Sequence, residues 1–107
     1  MIYEWRAYET MPGKMAALNE RFEKYTNQLF AKHGIKTVGF WTADIGEHNI
    51  LYYMLTYESL AAREKAWCSM LSDPDFDKSM MLTERDGPLV AKYSNSILKP
   101  TSYSPMK

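Results

Sequence analysis

The segment Ile50 to Tyr57 constrains this chain more than any other. Read as a strand, its side chains alternate between two faces. Ile50, Tyr52 and Met54 fall on one face, and Leu51, Tyr53, Leu55 and Tyr57 on the other. Both faces are apolar or aromatic. A strand with one solvated face alternates to polar residues, so something must cover each face of this one. Helices of the same chain can cover one. The simplest cover for the other is a second copy of the same sheet about a two-fold axis, and a homodimer is therefore expected.

The remaining elements fit around that strand. Ile2 to Glu9 alternates and is rich in β-formers, and Met11-Pro12-Gly13 breaks it. A helix is predicted from about Gly13 to His33, because Met15, Leu18, Phe22, Tyr25 and Leu29 recur at spacings of three and four. Gly34 ends it behind Lys32 and His33. Ile35 to Ile45 pairs with Ile50 to Tyr57 as a hairpin across Gly46-Glu47-His48-Asn49. Ser59 caps a helix over Leu60 to Leu71, with Leu60, Trp67 and Leu71 expected inward. Asp73-Pro74 starts a further short helix whose buried side carries Phe76 and Met80. Leu89 to Leu98 is the last strand, in a domain expected over residues 1–100, and residues 101–107 form an extended tail. The order is β-α-β-β-α-β, the ferredoxin-like α+β arrangement with a four-stranded antiparallel sheet.

Thirteen basic and thirteen acidic side chains give a formal net charge of zero in 107 residues. Nucleic-acid binding normally needs a basic excess to neutralise phosphate. The third strand also lacks the basic residue and glycine of an RNA-recognition motif, so no nucleic-acid partner is expected. No apolar run is long enough for a bilayer and the first residues do not read as a leader, so a cytoplasmic protein without membrane contact is expected. Cys68 is the only cysteine and reads as a buried, inert thiol. Two histidines and one cysteine, none closely spaced, make no metal signature. No nucleophile-elbow, P-loop, dinucleotide or zinc-protease motif occurs, and no cofactor is expected.

Several ordered segments resemble the NIPSNAP family. They are Met1 to Tyr8 with Pro12-Gly13-Lys14, His33 to Trp41, Ile45 to Asn49, Tyr57 to Glu64, Asp73 to Phe76, and Ile97 to Thr101. Trp5 departs from the resemblance, which leads one to expect a smaller aliphatic residue there. The resemblance implies a dimeric α+β barrel, in which two ferredoxin-like sheets face each other and pockets lie between each sheet and its own helices. The wider superfamily includes cofactor-independent monooxygenases and haem-degrading enzymes. The family brings no settled reaction and no catalytic residue.

Glu4, Arg6 and Tyr8 share one face of the first strand, where charge is costly unless paired. The functional reading makes Arg6 the anchor for a carboxylate, carbonyl or oxyanion, Glu4 its orienting partner or a base, and Tyr8 a donor. The alternative is a structural ion pair. Trp41 and Tyr52 are candidates for the walls around a planar ligand, against a plain core role. His33 is a candidate base or haem ligand, against a solvated cation at a helix end. Arg63 and Trp67, four apart, are expected to stack. The expected function is binding of a small planar or carbonyl-containing molecule, as in a cofactor-independent oxygenase or isomerase. The alternatives are a non-catalytic protein-interaction module and a haem-binding protein.

Overall fold

A computed structural model describes residues 1–107. β1 (Ile2–Thr10), β2 (Lys36–Thr42), β3 (Ile50–Tyr57) and β4 (Val90–Leu98) form one antiparallel sheet in the order β2-β3-β1-β4. The first and third strands are central, as the β-α-β-β-α-β order requires. Three helical stretches lie between β1 and β2: α1 (Met15–Arg21), a π-helical turn (Phe22–Thr26) and α2 (Asn27–Lys32). α3 (Leu60–Leu71) and α4 (Pro74–Thr83) join β3 to β4. All helices pack on one face of the sheet. No helix is long and apolar enough to cross a membrane.

The predicted helix over Gly13 to His33 is present, but not as one regular α-helix. The Asn27 N–H donates to the Phe22 carbonyl, five residues back. That insertion advances the inward stripe by about one residue. Leu18, Arg21 and Phe22 face inward before the turn, and Leu29 and Phe30 after it. Phe30 packs edge-on against Phe22 (6.4 Å between centroids) and Trp67 (5.9 Å), and tilts against Tyr53 (6.1 Å).

α3 faces the sheet differently from its expected orientation. Leu60 and Leu71 are 61% and 52% exposed, and Met70 is the residue buried. The inward side runs Arg63, Trp67, Met70, and Arg63 is drawn onto β1 by an ion pair. Cys68 is exposed, which corrects its reading as a buried thiol. Ser59 and Asp73 cap α3 and α4 as expected, accepting from the Ala62 and Asp75 N–H groups.

The core is the helix-facing side of β3 (Leu51, Tyr53, Leu55, Tyr57) packed on Leu18, Phe22, Leu29, Phe30 and Met70. The opposite, open face shows the other alternation of β3. Trp5 stacks on Tyr52 (5.6 Å between centroids) and tilts against Trp41 (5.8 Å). A bulge between Thr37 and Gly39 brings the Trp41 ring over Gly39, where a Cβ would lie 2.7 Å from it. The tail residues Pro100, Ser104 and Met106 line a shallow groove with Tyr3, Met54 and Leu98 at one end of this face.

Phe30 is 1% exposed and packs against the rings of Phe22, Tyr53 and Trp67. Phe30→Ala is expected to cost about 3–5 kcal/mol, read from the urea midpoint. A loss below about 1 kcal/mol would show that the helix is not seated there.

Candidate functional site

The helix-facing side of β1 presents Glu4, Arg6 and Tyr8 in a row, paired in register with Leu55, Tyr53 and Leu51 of β3 and with Ile97, Asn95 and Tyr93 of β4. Period-two alternation on a central strand places all three against the helices. Two hydrogen-bonded clusters result, joined by Arg6.

The first centres on the Glu4 carboxylate, which is 0% exposed. Oε2 accepts from Arg6 Nη1 (2.8 Å), Arg63 Nη2 (2.9 Å) and Asn95 Nδ2 (2.8 Å). Oε1 accepts from Arg63 Nε (3.0 Å) and the Tyr57 hydroxyl (2.8 Å). Trp67 Nε1 in turn donates to the Tyr57 oxygen at 2.7 Å. Burial alone would raise the Glu4 pKa. Hydrogen bonds from Arg63, Asn95 and Tyr57 and the charge of Arg6 outweigh it and bring the pKa down to about 2. With its lone pairs taken by donors, the Glu4 carboxylate is held as an anion among Arg6, Arg63, Asn95 and Tyr57.

The second cluster is Arg6 with two phenols. Arg6 Nε donates to the Tyr53 hydroxyl at 2.8 Å and, less directly, to that of Tyr8 at 3.2 Å. Arg6 Nη2 donates to the Tyr8 oxygen at 2.8 Å, and the Tyr53 O–H donates to Tyr8 at 2.7 Å. The guanidinium lies over the Trp67 ring, 4.7 Å from its centroid. This corrects the expected stacking of Arg63 on Trp67: Arg63 is held by Glu4, and Arg6 takes the ring. Burial opposes the charge on Arg6, but the neighbouring phenols and Glu4 outweigh it and hold the guanidinium protonated. Burial pushes the Tyr53 phenol well up, so it stays neutral.

Arg6, Tyr8 and Tyr53 line a cavity of about 220 Å³ between sheet and helices, walled by Phe22, Phe30, Trp67 and Phe76 among others. Arg6 is 12% exposed, so it is at once Glu4's partner and part of the cavity wall. A larger hollow of about 270 Å³ lies outside, where Lys24, Lys32 and Lys78 meet Asp75. Lys24 and Lys32 there are already paired with acidic neighbours, so the cavity between sheet and helices is the candidate site.

The other candidates fall elsewhere. Trp41 and Tyr52 belong to the opposite face, in the group with Trp5, and are not walls of this cavity. Trp41 is 47% exposed. The alternation that points Phe40 and Tyr53 at the helices points their chain neighbours away. His33 lies at the junction of α2 with α3 and α4. Its Nδ1 pairs with Ser69 Oγ and its Nε2 with Asp73 Oδ2, both at 2.8 Å. Lys32 also reaches Asp73 at 2.7 Å, and the Lys32 and Asp75 N–H bonds together with His33 hold the Asp73 carboxyl well below its usual range. His33 is a tie between helices here, with no free ring nitrogen for a haem iron.

Arg63, Asn95, Tyr53, Tyr57 and Arg21 were not legible as site residues. Tyr53, Tyr57 and Asn95 share the parity of Glu4 and Arg6, which could have flagged them. Arg21, three residues after Leu18, shares the inward stripe of α1, which could have flagged it.

The Glu4 carboxyl has a lower pKa folded than unfolded, so its stabilisation is fully present above its ordinary 4.5 and is lost as pH falls through about 2. Urea midpoints of the wild type should drop over that window. Glu4→Gln should lose about 3–5 kcal/mol at neutral pH, because its arginines lose their carboxylate, and should show a flatter acid limb. Parallel acid limbs in the two proteins would contradict the assignment.

Comparison with known proteins agrees with this architecture. The NIPSNAP family profile matches residues 3–105. A putative NipSnap protein of Caenorhabditis elegans is 26% identical over 99% of this chain, and NipSnap homolog 2 of Danio rerio is 24% identical over 99%. The chain spans only 19% and 35% of the length of those two relatives. A crystal structure of a NIPSNAP family protein of unknown function from Agrobacterium tumefaciens is 26% identical, covers 100% of this chain and 94% of its own, and superposes with a TM-score of 0.87. A putative antibiotic biosynthesis monooxygenase from Nitrosomonas europaea shares the fold at a TM-score of 0.65, with 12% identity over 94% of this chain and 98% of that one. With the family profile running across nearly its whole length, this chain belongs to the NIPSNAP family.

Proposed function

We propose that this chain binds a small planar molecule with a carbonyl or enol oxygen in the cavity between its sheet and helices, and that it works as a homodimer through its open face. One observation carries the first part. Tyr53 donates its proton to Tyr8, the Tyr8 oxygen receives it along with Arg6 N–H, and no protein group accepts the Tyr8 proton. Exchanging the hydroxyl hydrogens only moves the spare proton to Tyr53. A largely buried donor without an acceptor loses free energy, and a ligand oxygen placed against it would recover that loss. The chain of bonds from Arg6 polarises that terminal O–H and strengthens it as a donor.

The charge balance points the same way. Arg6 and Arg63 carry two positive charges and Glu4 one negative, so this cluster holds a net charge of +1. An electron-rich oxygen suits it. The lining has no carboxylate or imidazole to take a proton. That arrangement stabilises an oxyanion and does not generate one, which favours ligand binding or an oxygenase acting on an acidic substrate over an isomerase. The aromatic walls favour a flat ring.

The dimer rests on the open face. Trp5, Trp41 and Tyr52 form a continuous aromatic surface where a solvated sheet would be polar. A second copy would cover it, burying roughly 800 Å² per partner.

A panel of single-ring aryl carbonyls and phenols, screened by protein-observed NMR, should perturb resonances of the cavity. Tyr8→Phe should weaken the best binder about tenfold, and should cost about 1–3 kcal/mol of stability because Arg6 and Tyr53 lose an acceptor. Carbonyl compounds that leave the cavity resonances unmoved would refute the ligand reading. Separately, light scattering at micromolar concentration should give twice the monomer mass, and Trp41→Glu should reduce it. A wild type that stays monomeric would end the dimer proposal.

A further inference from the structure

We propose that the ligand of this cavity is anionic, a single-ring aryl or enol carboxylate, and that Arg21 selects its charge. The proposal rests on the ligand reading above and concerns a second buried guanidinium on the other wall. Arg21 ends α1, immediately before the π turn, and is only 4% exposed. Its Nε donates to Thr83 Oγ1 at 2.9 Å. Its Nη2 is buried and makes no hydrogen bond. Glu84 Oε2 lies 3.2 Å away, close enough for attraction but outside hydrogen-bonding geometry, and the same oxygen is approached by the Leu89 N–H at 3.4 Å. Glu84 itself stands at the rim, at the C-terminal end of α4.

A buried guanidinium with one hydrogen bond and a poorly aligned carboxylate is a costly feature, and Arg21 lines the cavity that Arg6 lines from the sheet side. Tyr93 connects the two walls. Its ring meets that of Tyr8 edge-on at 4.6 Å, and burial raises its phenol while the charge of Arg21 works to lower it. The groups reaching the lining are thus two guanidiniums and three phenols, around apolar and aromatic walls. A carbonyl oxygen alone would satisfy the Tyr8 proton. It would leave Arg21 Nη2 as it is. A ligand with a second acceptor oxygen offers Arg21 a partner it now holds only in part, and a carboxylate does so while competing with Glu84 for its charge. The cavity of about 220 Å³ is below the roughly 300–1,000 Å³ of sites for drug-sized ligands, which suits a ligand of one ring.

The test compares salicylate with salicylamide, which differ in charge and hardly in shape, by calorimetry and protein-observed NMR at pH 7. Salicylate should bind the wild type at least tenfold more tightly than salicylamide. In Arg21→Gln that preference should vanish while salicylamide binds as before. Equal affinities in the wild type, or a preference that survives in Arg21→Gln, would overturn the role of Arg21 and leave the cavity a ligand site. If neither compound moves the cavity resonances at saturating concentration, the ligand reading fails and this proposal with it. Should Arg21→Gln not fold, Glu84→Gln decides: it removes the competing carboxylate and leaves Arg21 in place. Salicylate affinity should then rise about threefold or more, and an unchanged affinity would overturn the proposal.

Discussion

A carboxylate sealed inside a 107-residue protein is the constraint around which the rest of this structure is arranged. Moving Glu4 out of water costs several kcal/mol unless its charge and lone pairs are met. Meeting them takes a donor from each neighbouring element: Arg6 on its own strand, Tyr57 on β3, Asn95 on β4 and Arg63 on α3. The sheet order, the register of both neighbouring strands and the seat of α3 must all be right for the five bonds to form together. A buried pair of this kind is weak grounds for added stability, because apolar side chains of the same volume often do as well. Its effect is to leave one arrangement of the elements with a satisfied interior.

The same carboxylate prepares the site. Binding one oxygen to Arg6 Nη1 fixes the guanidinium plane over Trp67, and that plane sets where Nε and Nη2 point. The two phenols follow. What reaches the cavity is therefore a proton donor whose position is decided two bonds earlier, on central strands.

Much of this was legible because alternation on a strand is a strict rule. The double apolar character of Ile50 to Tyr57 implied two covered faces, and the helix-side half of that reading is the observed core. The shared face of Glu4, Arg6 and Tyr8 followed from their spacing alone. Where the reading went astray, the missing information was three-dimensional. Trp41 and Tyr52 looked like companions of Arg6 because all are polar-tipped or aromatic and lie on paired strands, yet parity across the register puts them on the other face. Arg63 looked like a partner for Trp67 because they are one helical turn apart, but Glu4, 59 residues away in sequence, binds it instead. Arg21 lies three residues after Leu18 and beside Phe22, on the inward stripe of the helix, but a charged side chain at that position gave no sign of the carboxylate and hydroxyl that meet it.

The π turn separates two kinds of residue in the cavity. Arg6, Tyr8 and Tyr53 stand on strands and are tied, through Glu4 and register, to the conditions for folding. Arg21, Phe22, Thr26 and Phe30 stand on the helix wall, where Arg21 has one hydrogen bond and a rim carboxylate but no part in the Glu4 network. Changing the strand residues disturbs the interior that holds the chain together. Changing the helix wall alters the shape and charge of the cavity while the Glu4 network stays intact. A π turn is a backbone device for moving side chains across a helix surface without moving the helix. Placed here, it shapes the helix wall of the cavity, while the strand wall stays tied to the Glu4 network.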